Sequence, residues 1–366
     1  MLHLPDTGQE ADFTASPGED SDYSIFPPAY SVHPNGTLSD LVTGLMWQRL
    51  DGGEMTFEQA VSYCDSLTLG SYSDWRLPTA IELMSIQNLQ QSNPSIDTES
   101  FIASDAEYWW SSETQSNDSN KIWVTNSGGG IGNHPKTETI SAGGTHRFHA
   151  RAVRSVNASV QLISRFNETG DNTVWDAMTD LMWQQIAPID TLTWEEALDY
   201  ADTAIIGGYS DWRLPTIKEI HSINQVNLIN PSIDPEWSGI IEARKWWSST
   251  TLLNDPQKAW YLYSRFGITT YDPKPSKHYV RLVRGGETVA FASEIMQFES
   301  LFFPMPAESL LHCYKCTGTS FSIYNTIGEQ VLQLKGTGPW DINVLSPGSY
   351  FILDESGHHF YRLLKR

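Results

Sequence analysis

Asp74-Trp75-Arg76-Leu77-Pro78-Thr79 occurs twice in this chain, returning letter for letter as Asp211-Trp212-Arg213-Leu214-Pro215-Thr216. Around it, Leu45-Met46-Trp47-Gln48 returns as Leu181-Met182-Trp183-Gln184, and Asn93-Pro94-Ser95-Ile96-Asp97 as Asn230-Pro231-Ser232-Ile233-Asp234. Trp109-Trp110-Ser111-Ser112 returns as Trp246-Trp247-Ser248-Ser249. Four landmarks in one order at nearly one spacing mark an internal duplication. The period far exceeds the roughly 20–50 residues of a solenoid unit. It is the size of a whole domain, so the chain carries two copies of one folded module.

Each copy reads as mixed structure. The Leu-Met-Trp-Gln block sits on an opening strand, residues 38–49 and 174–185. Thr56…Gln59 and Thr193…Glu196 match a helix capping box, with a hydroxyl at the N-cap and Glu or Gln three residues on. Phe57, Ala60, Val61, Cys64 and Leu67 follow at helical spacing, as do Trp194, Ala197, Leu198 and Ala201. The Trp-Arg-Leu-Pro block is extended, because proline biases the residue before it away from helix. A second capping box, Thr79…Glu82 and Thr216…Glu219, starts a second helix at once. Loops and short strands follow. Two helices with several antiparallel strands define an α+β module.

The boundaries follow from composition. Residues 1–21 form a polar, flexible leader or extended arm. Residues 22–155 are repeat one, 156–286 repeat two and 287–298 a linker. In residues 299–366, alternating strands flank turns at Asn325–Gly328 and Pro347-Gly348, predicting a small all-β sandwich.

Bulk properties exclude several function classes. With 23 Lys and Arg against 44 Asp and Glu, the chain carries a formal charge of −21. That argues against a nucleic-acid binder, which needs a basic face, and against attachment to acidic lipids. Three cysteines make no disulfide framework. No apolar run is long enough to span a bilayer. Met1–Asp6 has neither a basic n-region nor an apolar h-region, which leaves a cytoplasmic protein or one whose signal peptide is missing from this sequence.

The repeats resemble the Lcl C-terminal domain family of bacterial surface and secreted proteins. The carriers in repeat one are Thr43–Gln48, Tyr63-Cys64, Asp74–Thr79 with Glu82-Leu83, Trp109–Ser112 and Arg151-Ala152-Val153-Arg154. In repeat two they are Asp180–Gln184, Asp211–Thr216 with Glu219, Trp246–Ser249 and Arg281-Leu282-Val283-Arg284. The resemblance implies a C-type-lectin-like fold, related to that of the formylglycine-generating enzyme, and binding or adhesion rather than catalysis. The tail resembles a type IX secretion sorting domain, on Ile323-Tyr324-Asn325, Gly328–Val331, Leu345–Phe351 and the basic end Leu363–Arg366. That implies export to the outer cell surface or beyond, with the type IX machinery as a partner.

Candidate chemistry is sparse. In the repeated hexapeptide, Trp75 and Leu77 fall on alternate, buryable positions, Arg76 and Arg213 can pair with Asp74/Glu82 and Asp211/Glu219, and the threonines cap helices; structure is the better reading. In each Trp-Trp pair one ring faces the core and the other is free to stack on a sugar or be covered by a loop. Cys64 aligns with Ala201 and reads as a small buried residue. Neither repeat offers a pair of positioned thiols for an oxidase. Cys313-Tyr314-Lys315-Cys316 lacks the second ligand pair of a zinc site, leaving a local disulfide or two free thiols. No phosphate loop, zinc-protease or hydrolase motif appears, and the chain is not expected to be an enzyme.

Oxygen-rich loops make Glu113, Asn117, Asp118 and Asn120 the candidate metal set, with Ca²⁺ as the one possible cofactor. Asn133 and His134 in repeat one, and Tyr261, Tyr263, Arg265 and Tyr271 in repeat two, are the candidate ligand residues. The second set is suited to stacking on a sugar or pairing with an acidic group. A shared catalytic site would keep the same polar residues in both copies, yet the loops 113–146 and 250–277 share almost none. The expected function is therefore a secreted or cell-surface binding and adhesion protein, with an extracellular glycan or surface ligand held by two modules. The alternatives are a secreted enzyme with catalytic groups in divergent loops, or a structural surface component.

Overall fold

The Leu-Met-Trp-Gln block is the second arm of a hairpin. In the computed structural model, β1 (Tyr30–Val32), β2 (Thr37–Asp40) and β3 (Leu45–Gln48) form an antiparallel meander closed by β8 (Val153–Ser155), in the order β1-β2-β3-β8. The continuous strand expected over 38–49 is broken because Gly44 takes φ +70° in the turn, a region open to glycine. Between β3 and β8 come α1 (Phe57–Ser66), α2 (Ala80–Ser85), β4 (Tyr108–Gln115), β5 (Asp118–Asn126), β6 (Ile131–Pro135) and β7 (Phe148–His149), the strands ordered β6-β5-β4-β7. The structure describes residues 3–138, 147–156, 165–240, 242–285, 302–303, 309–313, 320–325, 330–335, 338–346, 348–354 and 360–365.

Repeat two reproduces this plan. β9 (Phe166–Gly170), β10 (Thr173–Asp176) and β11 (Leu181–Gln184) pair with the late strand β15 (Val283–Gly285) in the same order. Between them lie α3 (Trp194–Thr203), α4 (Ile217–Ser222), the short α5 (Pro235–Ser238) and the meander β12 (Lys245–Thr251), β13 (Lys258–Tyr263) and β14 (Ile268–Pro273). All four capping boxes form: Thr56, Thr79, Thr193 and Thr216 each accept from the N3 backbone while the N3 side chain reaches back. The helices therefore start where the sequence places them.

The α+β, C-type-lectin-like class is nevertheless wrong. The described residues hold twenty-two strands in several small sheets, against five α-helices of at most ten residues. The chain is mostly β. The misreading came from polar strands: β5 includes Asp118-Ser119-Asn120, which composition marks as loop, and cross-strand pairing overrides that weak preference.

The repeats share a core. Ala80, Met84, Leu89, Trp123 and Ile131 of repeat one belong to the same buried cluster as Ile217, Ile220, Trp246 and Leu262 of repeat two. Trp47, Trp75, Leu77, Trp183, Trp212 and Leu214 are all buried. So are both rings of each Trp-Trp pair, because β4 and β12 are covered on both faces: Trp110 packs with Cys64 and Phe148, Trp109 with Phe101 and Val153.

The leader packs against the repeats as an extended arm. Leu4, Asp6, Thr7, Gln9, Glu19, Asp20 and Ile25 are buried. Gln9 exchanges two hydrogen bonds with the Thr251 backbone, at 2.9 and 3.0 Å. Thr7 and Thr250 donate their hydroxyls to the Asp20 carboxylate. The arm thus spans both repeats, and contacts divide the chain into Met1–Ala290 and Phe291–Arg366.

The second unit holds two sheets. β16 (Phe302–Phe303), β17 (Leu310–Cys313) and β20 (Trp340–Asp341) make one; β18 (Ser320–Tyr324), β19 (Gln330–Lys335), β21 (Gly348–Asp354) and β22 (Phe360–Lys365) make the other. Phe321, Ile323, Leu334, Ile352 and Leu363 fill its core. The Cys313 side chain and Cys316 lie outside the described residues. No described helix is long and apolar enough to cross a membrane.

Candidate binding site

The repeated hexapeptide builds scaffold. Arg76 forms a two-pronged bridge to Glu82, both contacts 2.7 Å, and Arg213 one to Glu219 at 2.6 and 2.7 Å. Each glutamate is also the N3 residue that accepts from its N-cap, at Thr79 or Thr216. One carboxylate thereby fixes both a helix start and the strand before it. Asp74 and Asp211 pair instead with Arg154 and Arg284. Arg76 is 40 % exposed and Arg213 only 1 %, because the arm lays Tyr23 over Arg213, 5.4 Å from the ring centroid.

The expected metal residues do not converge. Glu113 lies at the start of α2, where an oxygen accepts from the Ala80 N–H at 2.8 Å; burial raises its pKa. Asn117 takes the Gln115 amide at 2.5 Å, and Asp118 caps the Asn120 N–H at the β4–β5 turn. Among the described residues no three His, Cys, Asp or Glu side chains are grouped to hold a metal ion. Cys64 is buried and its thiol is pushed up to about 12 by that burial, so it stays protonated and inert.

The expected ligand residues separate by sheet face. Tyr261 and Tyr263 lie two apart on β13 and share one face. Tyr261 is buried, edge-on to Trp247 at 6.2 Å, and Tyr263 packs at the rim of the same core. Tyr271 pairs across to Trp260, hence lies on the opposite face, and is 42 % exposed. Arg265 is exposed in the β13–β14 turn. His134 is held by Glu138 at 3.0 Å and by the Tyr108 and Phe148 rings, with Asn133 half-buried beside it on β6.

Tyr271 opens onto a cleft that neither repeat forms alone. Its cavity is about 370 Å³ and runs between the repeats. Repeat one contributes Gln91, Ser92, Asn93 and Asn126; repeat two contributes Asn254 and the Trp260–Tyr271 wall. The two sides are tied by Ile131 N–H to Thr269 Oγ1 at 2.7 Å and by Asn254 Nδ2 to Ser92 Oγ at 2.6 Å. No residue lining the cleft carries a charged side chain, in a chain with formal charge −21. Amide and hydroxyl groups beside a partly exposed ring are what a neutral polyol requires: paired hydrogen bonds and a flat apolar face. Sequence reading found Tyr271 but missed Gln91, Ser92 and Asn93, whose neighbourhood repeats as a turn motif and gives no sign that it faces the other copy.

The model of the Lcl C-terminal domain family matches residues 36–154 and 172–284. No curated protein matches the chain.

Proposed function

This chain belongs to the Lcl C-terminal domain family, and we propose that it is an extracellular binding protein whose two repeats together hold one neutral glycan. The observation that carries the reading is the uncharged cleft between the repeats, walled by Tyr271 on one side and by the amides of Gln91, Asn93 and Asn126 on the other. Family membership favours a place at the cell surface or outside the cell. The tail supports the same reading: its hairpins, with Leu363–Arg366 at the end, fit a sorting domain read by the type IX machinery. Removal of residues 301–366 is expected to abolish surface delivery in a host with that machinery; undiminished delivery would refute the role.

The cleft reading is tested on a glycan array and then by calorimetry with the selected oligosaccharide. Neutral sugars are expected to bind and sulfated or uronic-acid glycans to be excluded, because the acidic surface repels them. Tyr271→Ala is expected to abolish the signal with little change in melting temperature. Retained affinity in that variant would remove the cleft as the site.

A further inference from the structure

One turn gives the cleft between the repeats a floor with its own chemistry. Ser127-Gly128-Gly129-Gly130 joins β5 to β6, where the matching turn of repeat two reads Ser264-Arg265-Phe266-Gly267. The glycine turn wraps the amide of Asn126. The Gly128 and Gly130 N–H groups donate to Asn126 Oδ1 at 2.9 and 3.1 Å. Two backbone donors on one oxygen fix which end of the amide is which, because the nitrogen end cannot accept them. Nδ2 is the end left over, and among the described residues no hydrogen bond uses it.

Gly130 keeps the way to that nitrogen open. Its φ lies outside the left-handed region, so the backbone does not call for glycine there. What the missing side chain leaves is room. A Cβ at this position would meet Asn126 Nδ2 at 3.0 Å, and the Thr269 carbonyl oxygen and the Trp260 ring at 3.5 Å each. All four residues line the cleft. β14 is the outer strand of its sheet, so alternate carbonyls turn away from β13, and that of Thr269 lies on the Gly130 side. An N–H donor, a carbonyl acceptor and an apolar ring thus surround one point.

That set selects an amide. A sugar hydroxyl can use either polar group, whereas a secondary amide uses both at once: its C=O accepts from Asn126 Nδ2 and its N–H donates to the Thr269 oxygen. Trp260 and Leu89, both in the wall, give apolar surface to a methyl group beside that amide. The exposed face of Tyr271 then takes the sugar ring, and Gln91 and Ser92 at the other side meet its hydroxyls. We infer that the cleft takes a sugar carrying an N-acetylated amine, with the acetamido group seated over Gly130. This rests on the cleft being the glycan site and adds which sugar it prefers.

The test uses the full chain in saturation-transfer NMR titrations. The probes are the methyl β-glycosides of N-acetylglucosamine, N-acetylgalactosamine, glucose and galactose, with N-acetylglycine N-methylamide as an amide that has no sugar ring. At least one acetamido sugar is expected to bind about tenfold or more tighter than its parent hexoside, the size of two added hydrogen bonds, with its acetyl methyl receiving strong saturation. Gly130→Ala fills the space over the turn, and Asn126→Asp keeps the acceptor for the glycine N–H groups while removing the donor. Each is expected to abolish the preference and leave hexoside affinity in place. Tyr271→Ala is expected to abolish binding of all four sugars. Equal affinity for acetamido sugars and parent hexosides, both lost in Tyr271→Ala, would overturn the acetamido site and leave the cleft standing. A preference that survives both Gly130→Ala and Asn126→Asp would do the same. No binding of any of the four sugars, or binding that survives Tyr271→Ala, would overturn both. Tighter binding of N-acetylglycine N-methylamide than of either acetamido sugar would overturn the sugar as the ligand.

Discussion

The tryptophans and one aspartate define what single residues contribute. Trp75 and Trp212 are 2 % and 3 % exposed, and each indole N–H donates to two backbone carbonyls of the preceding turn. Replacing either by alanine is expected to cost about 3–5 kcal/mol in chemical denaturation; a loss below 1 kcal/mol would contradict their core role. Asp20 is buried in the arm, and burial together with Asp6 pushes its carboxyl up to about 8. The folded protein then retains a proton that the unfolded chain, with an ordinary value near 3.8, releases. The Asp20 contribution to stability should be greatest below that ordinary value and be lost as pH rises toward about 8. Glu219 also raises the Asp20 value, and Lys218, brought down to about 8 by its own burial, faces the same cluster. Asp20→Asn is expected to flatten the slope of urea midpoint against pH between 5 and 7.5; an unchanged slope would assign the dependence elsewhere. Buried tryptophans were legible because apolar residues alternate around Trp75 and Trp212. The sheet face of Tyr261 was not, since both faces of β13 are covered and alternation carries no contrast there.

At the scale of elements, helix starts were the most readable signal and strands the least. A capping box is local chemistry, complete within four residues, and all four form. Thr216→Ala is expected to cost about 0.5–2 kcal/mol, and Glu219→Ala more, because Glu219 also holds the buried Arg213. A polar strand such as β5 owes its existence to partners on both sides, Trp109↔Thr125 and Trp123↔Asn133, which its own composition does not reveal. The arm is similar: its polar composition reads as a flexible leader, yet its carboxylates find buried hydroxyls. In repeat one Glu113 accepts from the first N–H of α2; in repeat two Thr250 accepts from that of α4 and passes its own proton toward Asp20. The arm therefore supplies the carboxyl group that repeat two lacks. Removing residues 1–22 should lower the melting temperature of the chain. No change would show that these contacts add nothing to stability.

At the scale of the whole molecule, duplication was plain in the sequence but its consequence was not. Two tandem modules suggested candidate ligand residues in each repeat separately. The shared core and the ties between Ile131 and Thr269 and between Ser92 and Asn254 make the repeats one body, so repeat two alone would expose apolar surface and lose half of the cleft. Residues 1–290 should unfold in one cooperative transition. The central claim is that one neutral glycan sits between the repeats, and calorimetric stoichiometry with an array-selected oligosaccharide tests it most directly. The expected result is one oligosaccharide per chain, lost in Tyr271→Ala and kept in a Tyr263→Ala variant that remains folded. Two equivalent sites per chain, or binding that survives Tyr271→Ala, would contradict it.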